Sequence, residues 1–314
     1  MKTLRIGSRP SALAIAQAEL VKRRLESIAA GVGIEIVPIS TSGDRMATAS
    51  LARIGGKGLF IRELEQALTD RRIDLAVHSM KDLPAILPPQ FRLVAVPERE
   101  NSCDALVTRA PGGWDAMPAG ARLGTSSTRR RLQALRLRPD LTIIPLRGNV
   151  DTRLSRLHAG DFDAIILAVA GLKRLNRYAG INLLELGDRD FVPSGGQGAL
   201  ALEALAEGII GGSSELENAV AALNHPPTMA EVTAERSFLA TIGASCVSPV
   251  GVHATIVANT LHLRALLFDA DGSRNMADEA AAPCPAGALA AAALGSELGR
   301  RMLARGAGEL IGHG

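Results

Sequence analysis

Hydrophobic positions recur with two periods over the first ninety residues. Leu4 and Ile6 alternate with polar neighbours as a short strand. After a turn over Gly7 to Ser11, Leu13, Leu20, Val21, Leu25 and Ile28 fall along one helical face. A strand follows at Ile34 to Ile39, a helix carries Leu64 and Leu68 one turn apart, and a strand through Leu75, Ala76 and Val77 stops at His78-Ser79-Met80-Lys81-Asp82-Leu83-Pro84. Between them, Thr41 to Gly58 holds Gly43, Gly55, Gly56 and Gly58 without any sustained period, the pattern of a long loop that works as a lid. Strands alternating with helices predict a mostly parallel α/β sheet.

A second α/β unit begins near Asp104 with a strand at Ala105 to Val107. Gly124-Thr125-Ser126-Ser127-Thr128 leads into a helix from Arg129 to Arg138, followed by a strand at Leu141 to Pro145 and a turn at Arg147-Gly148-Asn149. The apolar run Ala164 to Ala170 is bounded by charge, as a buried parallel strand should be. Pro193 to Gly198 reads as a hinge. Beyond Gly211-Gly212 the pattern becomes α+β, with a helix near Val232 to Leu239, a loop carrying Cys246, strands at Val250 to His253 and Leu261 to Phe268, and a terminal Ala-rich helix. No internal repeat is evident.

The length of 314 residues allows two domains, or three if one is small. A net charge of +3 is too small for a nucleic-acid binder, which needs a strong cation excess, and stacking aromatics are scarce at 3%. The Ala-rich run from Ala280 to Leu294 contains Pro283 and Pro285 and is too short to span a membrane. Cys103, Cys246 and Cys284 are odd in number and far apart, which suits a reducing, cytoplasmic compartment. The six histidines form no H-E-x-x-H pattern, no P-loop spacing is present, and no metal site is expected.

Arginine carries the chemical signal. The chain has 30 Arg against 5 Lys, and nine Arg but only Asp140 and Asp151 lie between Arg122 and Arg156. Such a stretch cannot neutralise itself locally, and the planar guanidinium fork suits carboxylates and phosphates. Thr125-Ser126-Ser127 before Arg129-Arg130-Arg131 would form an anion cradle at a helix start, or an ordinary cap before a solvated basic face. Asp82 beside Lys81 at a strand end is a candidate acid/base or cation-stabilising carboxylate, or else a surface pair. Cys246 lies in the small-residue loop Gly243-Ala244-Ser245-Cys246-Val247-Ser248-Pro249 and is the candidate reactive thiol, whereas Cys103 and Cys284 read as inert packing. His78 reads as a strand-end packing residue.

Together these segments closely resemble the porphobilinogen deaminase family. The resemblance is carried by Ile6-Gly7-Ser8-Arg9-Pro10-Ser11-Ala12-Leu13-Ala14, Gly55-Gly56-Lys57-Gly58-Leu59-Phe60, His78 to Pro84, Gly124-Thr125-Ser126-Ser127, Leu146-Arg147-Gly148-Asn149-Val150 and Gly196-Gln197-Gly198-Ala199-Leu200. It runs from about residue 4 to the Cys246 loop.

The resemblance implies an enzyme that joins four porphobilinogen molecules head to tail with loss of ammonia, primed by a dipyrromethane cofactor on a cysteine. By motif that cysteine is Cys246 and the catalytic carboxylate is Asp82. Arg9, Ser11, Lys81, Thr125, Ser126, Ser127, Arg129, Arg130, Arg147, Asn149, Arg153 and Arg174 would form the shell around the pyrrole acetates and propionates, with Arg53 and Lys57 in the lid loop. The implied fold is α/β, two periplasmic-binding-protein-like α/β domains around a cleft plus a small α+β C-terminal domain. The expected bounds are 1–97 with 198–215 for domain 1, 98–197 for domain 2 and 216–314 for domain 3. A monomer without nucleic-acid or membrane partners is the family expectation. Ala244-Ser245 before the cysteine, Asn101-Ser102-Cys103, and Arg53 in place of a Lys depart from the family pattern. A non-catalytic ligand sensor on the same fold would need the arginines but neither Asp82 nor a reactive Cys246.

Overall fold

A computed structural model describes residues 3–29, 31–41, 61–209, 214–245, 248–284 and 287–312. The expected lid, with Arg53 and Lys57, and Cys246 lie outside the described residues. The chain divides into two units, residues 1–100 with 199–230, and residues 101–198 with 231–314.

In the first unit, β1 (Thr3–Ser8), β2 (Gly33–Pro38), β3 (Leu75–Ser79), β4 (Phe91–Ala95) and β10 (Leu200–Leu205) form one sheet in the order β2-β1-β3-β10-β4. β1 runs parallel to β2 and β3, and β10 is antiparallel to both its neighbours. Helix α1 (Ala12–Ile28) lays Ala18, Val21 and Leu25 on Leu4, Ile6, Leu75 and Val77. Helix α2 (Arg62–Thr69) covers the other face, where Leu64 and Leu68 meet Ile73, Ala76 and Phe91. The returning segment outlasts its expected end at residue 215, because Leu216, Ala219 and Val220 of a helix over Ser214–Ala221 join the first core.

The second unit repeats this plan. β5 (Asp104–Thr108), β6 (Arg122–Gly124), β7 (Thr142–Ile144), β8 (Ala164–Ala168) and β9 (Asn182–Leu186) take the order β7-β6-β8-β5-β9. β6 is parallel to β7 and β8, and β5 is antiparallel to β8 and β9. Order and direction therefore match the first sheet strand for strand, a repeat of topology that leaves no repeat in sequence. Val107, Leu157, Phe162, Ile165 and Leu167 build its core.

The same unit holds the small α+β region. An antiparallel sheet of β11 (Val250–Val257), β12 (Thr260–Phe268) and β13 (Asn275–Pro283) is accompanied by the helix Ala288–Ala304 and, from Glu231 onward, by the helix Pro226–Thr241. The Ala280 to Leu294 run splits: Ala280 to Pro283 pair with β12, and the helix starts at Ala288. Leu132, Val192, Leu266 and Phe268 cluster between the sheet and the Thr128–Leu137 helix.

Pro193 to Gly198, read as a hinge, is hydrogen-bonded to its own unit and ends where the chain returns to the first. Gly196 N–H donates to the buried Glu235 at 2.6 Å, while Gln197 donates to Ser102 O and Asp104. The glycine at 196 is needed for a left-handed φ of 74°.

Candidate active site

Ligands of open α/β sheets gather at the carboxyl ends of parallel strands. In the first unit those ends carry Arg9 and Ser11 after β1, and Lys81 and Asp82 in the single 3-10 turn Met80–Asp82 after β3. Asp82 is exposed and Lys81 half-buried. Asp82, Arg9, Ser11, Gln17, His78 and Ser79 line one pocket. Gln17 is buried on the apolar stripe of α1, and its amide N–H donates to Ser79 Oγ at 2.9 Å. His78 is buried with Nε2 2.9 Å from Glu203 Oε2 on β10.

Sequence reading missed Gln17 and Glu203 and gave His78 a packing role. Two signals were present. Gln17 is a polar residue between Ala14 and Val21 on a buried helical face, and Glu203 is a lone acid in Leu200-Ala201-Leu202-Glu203-Ala204-Leu205.

In the second unit the strand ends after β6 and β7 meet. Thr125 N–H donates to Ile144 O at 3.0 Å, and Ser126 Oγ donates to Leu146 O at 2.9 Å, which ties one turn to the other. Ser127 caps helix α3 (Thr128–Leu137), accepting from Arg130 N, and Asn149 caps helix α4 (Val150–His158), its Oδ1 accepting from Thr152 N at 2.8 Å. Ser11 caps α1 in the same way, accepting from Ala14 N at 3.3 Å.

Each cap uses an acceptor oxygen on its helix. The Ser11 and Ser127 hydroxyl protons and the Asn149 amide N–H groups are left to give, the polarity a carboxylate ligand requires. Gly148 makes the Arg147-Gly148-Asn149 turn possible at φ 106°, with Arg147 exposed beside it.

The arginine surplus is partly answered by acids outside the Arg122 to Arg156 stretch. Arg122 pairs with Asp163, and Arg129 and Arg130 share the buried Asp104 at 2.7 and 2.6 Å. Arg129 and Arg130, expected in the carboxylate-binding shell, are both buried against that shared acid. Two guanidiniums on one carboxylate still leave a positive charge. Burial lowers Arg129 below the usual arginine range even with Asp104 beside it. Arg153, half-buried with its Nε donating to Gly148 O at 2.8 Å, has no carboxylate partner among the described residues. Burial, and then the charge of Arg130, hold it down at about 10. A cation so placed gains from an incoming anion. Arg174, just after β8, donates from Nη2 to Gly198 O at 2.6 Å. Cys103 is partly buried and packs against the core around Val107, and Cys284 is partly exposed.

Among the described residues no group of His, Cys, Asp and Glu could hold a metal ion, and no helix is long and apolar enough to cross a membrane. Solved structures sharing likeness with the chain include two titled as binding proteins. A probable amino-acid ABC transporter extracellular-binding protein from Bacillus subtilis gives a TM-score of 0.44 at 13% identity, covering 71% of this chain and 90% of that one. A putative periplasmic sulfonate-binding protein from Methylobacillus flagellatus gives 0.39 at 16%, covering 71% and 67%.

Sequence likeness extends over nearly the whole chain. The family description "Porphobilinogen deaminase, dipyromethane cofactor binding domain" matches residues 4–208, and "Porphobilinogen deaminase, C-terminal domain" matches residues 229–304. A porphobilinogen deaminase of Syntrophotalea carbinolica is 43% identical over 311 residues, covering 98% of this chain and 95% of its own. Those of Chromobacterium violaceum and Neisseria meningitidis serogroup A are each 44% identical, covering 99% of this chain and 97% of theirs. The chain belongs to the porphobilinogen deaminase family.

Proposed function

We propose that this chain is a hydroxymethylbilane synthase in which Asp82 is the catalytic carboxylate and Cys246 anchors the dipyrromethane cofactor. The reaction joins four porphobilinogen molecules head to tail, releases ammonia at each coupling and yields the linear tetrapyrrole hydroxymethylbilane on the route to haem. The observation that carries the reading is Asp82, the one acid among the described residues of a pocket otherwise lined by cationic, hydroxyl, amide, imidazole and apolar groups, in a chain of this family. When bound, the dipyrromethane supplies the pyrrole carbon from which the chain grows. Its acetates and propionates fit the donor set, because Ser127, Asn149, Arg147 and Arg153 offer hydrogens and positive charge.

Ammonia leaves porphobilinogen as its C–N bond breaks, and positive charge spreads over the pyrrole. Arginine and lysine cannot stabilise that cation. The Asp82 carboxylate offsets it beside the pyrrole N–H, while Arg9, Lys81 and Ser11 hold the substrate carboxylates. Arg129 and Arg130 sit on Asp104 at the start of α3, and Arg174, at the end of the helix Val169–Arg174, holds the Gly198 carbonyl ahead of β10. In this reading residues 1–97, with the returning segment that follows residue 198, supply the catalytic acid and part of the carboxylate shell, 98–197 the rest of the shell, and the C-terminal region the anchoring cysteine. The chain works as a cytoplasmic monomer, since every residue of the scheme comes from one polypeptide and the three separated cysteines suit a reducing compartment.

Intact mass of the purified protein tests the reading together with product formation. A deaminase carries one covalent dipyrromethane and converts porphobilinogen to hydroxymethylbilane. An unmodified chain that binds porphobilinogen without turnover would instead be a ligand sensor.

A further inference from the structure

Two hydrogen bonds meet on adjacent residues of the segment that leads into β10. Arg174 Nη2 donates to Gly198 O at 2.6 Å, and Met80 N–H donates to Ala199 O at 3.0 Å. The first bond lies within the second unit and the other within the first, because the chain passes from one to the other at Gly198-Ala199. Arg174 ends the helix Val169–Arg174 after β8, and Met80 opens the Met80–Asp82 turn after β3. β3 and β8 hold the same place in the two sheet orders, so equivalent strand ends grip neighbouring carbonyls.

Little slack separates the two grips. Each peptide unit is planar, so only the φ and ψ of Ala199 lie between the plane that carries Gly198 O and the plane that carries Ala199 O. Ala199 is buried, and a residue with a Cβ has a narrow range of both angles. Gly198 itself sits at φ 89°, in the left-handed region that glycine tolerates. Without Arg174, the hold upstream is the Gln197 side chain on Ser102 O and Asp104, and the permissive angles of Gly198 join the free length. A hydrogen bond from a guanidinium is roughly twice as strong as one between neutral groups. Arg174 is therefore the firmer of the two grips.

We propose that Arg174 is a positioning residue for the Asp82 turn: by fixing Gly198 O it fixes Ala199 O, and through the Met80 N–H it sets where Lys81 and Asp82 lie. The inference rests on the synthase reading above and goes beyond the carboxylate shell, in which Arg174 would act on the ligand alone. A guanidinium has five N–H donors, so Arg174 can hold Gly198 O and a ligand carboxylate together. Asp82 has to meet the pyrrole cation at close range, and a displacement of about 1 Å at such a group costs on the order of a hundredfold in rate.

The test uses cofactor-loaded wild-type, Arg174→Met, Gly198→Ala and Gly198→Asn enzymes. Alanine at 198 is strained at a left-handed φ and should turn the peptide away from Arg174, whereas asparagine tolerates that region. The expected result is kcat about tenfold lower in Arg174→Met and in Gly198→Ala. KM in Gly198→Ala should stay within about twofold of wild type, and Gly198→Asn should regain most of the rate. Arg174→Met combined with Gly198→Ala should be no slower than the slower single variant, because both break one link.

Hydrogen exchange at the Met80 amide of the resting holoenzyme supplies a readout independent of turnover. It should be slow in wild type and about tenfold faster in Arg174→Met and Gly198→Ala, while the amides of β1 keep their rates. An unchanged Met80 amide in Arg174→Met would overturn the proposal. So would wild-type kcat in Gly198→Ala, or losses that multiply in the combined variant, since Arg174 would then serve the ligand alone. If wild type makes no hydroxymethylbilane, the synthase reading fails, and the Met80 amide still decides whether Arg174 holds the turn. Should Arg174→Met not fold, the two Gly198 variants decide.

Discussion

Arg130 Nη2 lies 2.6 Å from Asp104 Oδ1, and both side chains are buried. Arg130 also donates to Ile166 O, so it joins the start of helix α3 to strands β5 and β8 at once. Breaking a buried ion pair costs about 3–5 kcal/mol when the other charge is left alone; here Asp104 keeps Arg129 and Gln197, so the loss is at the low end of that range. Arg130→Leu should therefore lower the melting temperature sharply. Arg147→Leu, at an exposed turn, should leave it nearly unchanged and weaken substrate or cofactor binding about tenfold, the worth of one charge-assisted hydrogen bond. Calorimetry beside apparent substrate affinity separates the two effects.

Arg153 should respond to ligand anions more than its partial exposure implies. Arg153→Leu is expected to raise the apparent KM for porphobilinogen about tenfold while sparing stability, because no carboxylate is orphaned by its loss. Arg153→Lys should restore part of the affinity through charge alone. Steady-state kinetics of both variants check this, and an unchanged KM in Arg153→Leu would remove Arg153 from the binding shell.

Much of this was legible along the chain, and what was not has a physical pattern. The caps at Ser11, Ser127 and Asn149 are local, because a side-chain oxygen meets an N–H three residues on, and the helices after them begin where the hydrophobic period starts. Asp104 is different. It lies 25 residues from Arg129, and its acceptor role depends on β5 sitting antiparallel beside β8, a pairing no local period records. β10 lies likewise between β3 and β4, so Glu203 reaches His78 from 125 residues away. Ala280 to Pro283 misled in the opposite sense. Alanine favours helix locally, yet the alternating burial of β13 shows a period of two imposed by pairing with β12.

Asp163 makes the second unit acid-sensitive. Arg122, through its side chain and its backbone N–H, and then Arg109, hold the Asp163 carboxyl down at about 2. The folded value lies below the unfolded one, near 3.9, so the stabilisation is present above about pH 4 and fades as pH falls towards 2. Asp163→Asn should be less stable than wild type at neutral pH by about 1 kcal/mol. The gap should narrow as the pH drops from about 4 towards 2. Denaturant melts across that range measure it, and a gap that stays constant would assign the loss to geometry and not to charge.

Cys246 and the two other thiols should separate cleanly. Cys246→Ala should purify without the dipyrromethane adduct and without activity, whereas Cys103→Ala and Cys284→Ala should keep both. Peptide mass spectrometry locates the adduct; its presence on a peptide containing Cys103 or Cys284 would move the anchor.

The central claim is that the Asp82 charge performs the chemistry, and it is tested most directly by the turnover of cofactor-loaded Asp82→Asn. Asparagine preserves shape and hydrogen bonding but removes the charge that offsets the pyrrole cation. At an exposed position it should also leave folding intact. The expected result is a rate of hydroxymethylbilane formation at least about a hundredfold below wild type, with Asp82→Glu retaining more activity than Asn. A loaded Asp82→Asn enzyme that turned over within a few-fold of wild type would contradict the account and place the catalytic charge on another residue.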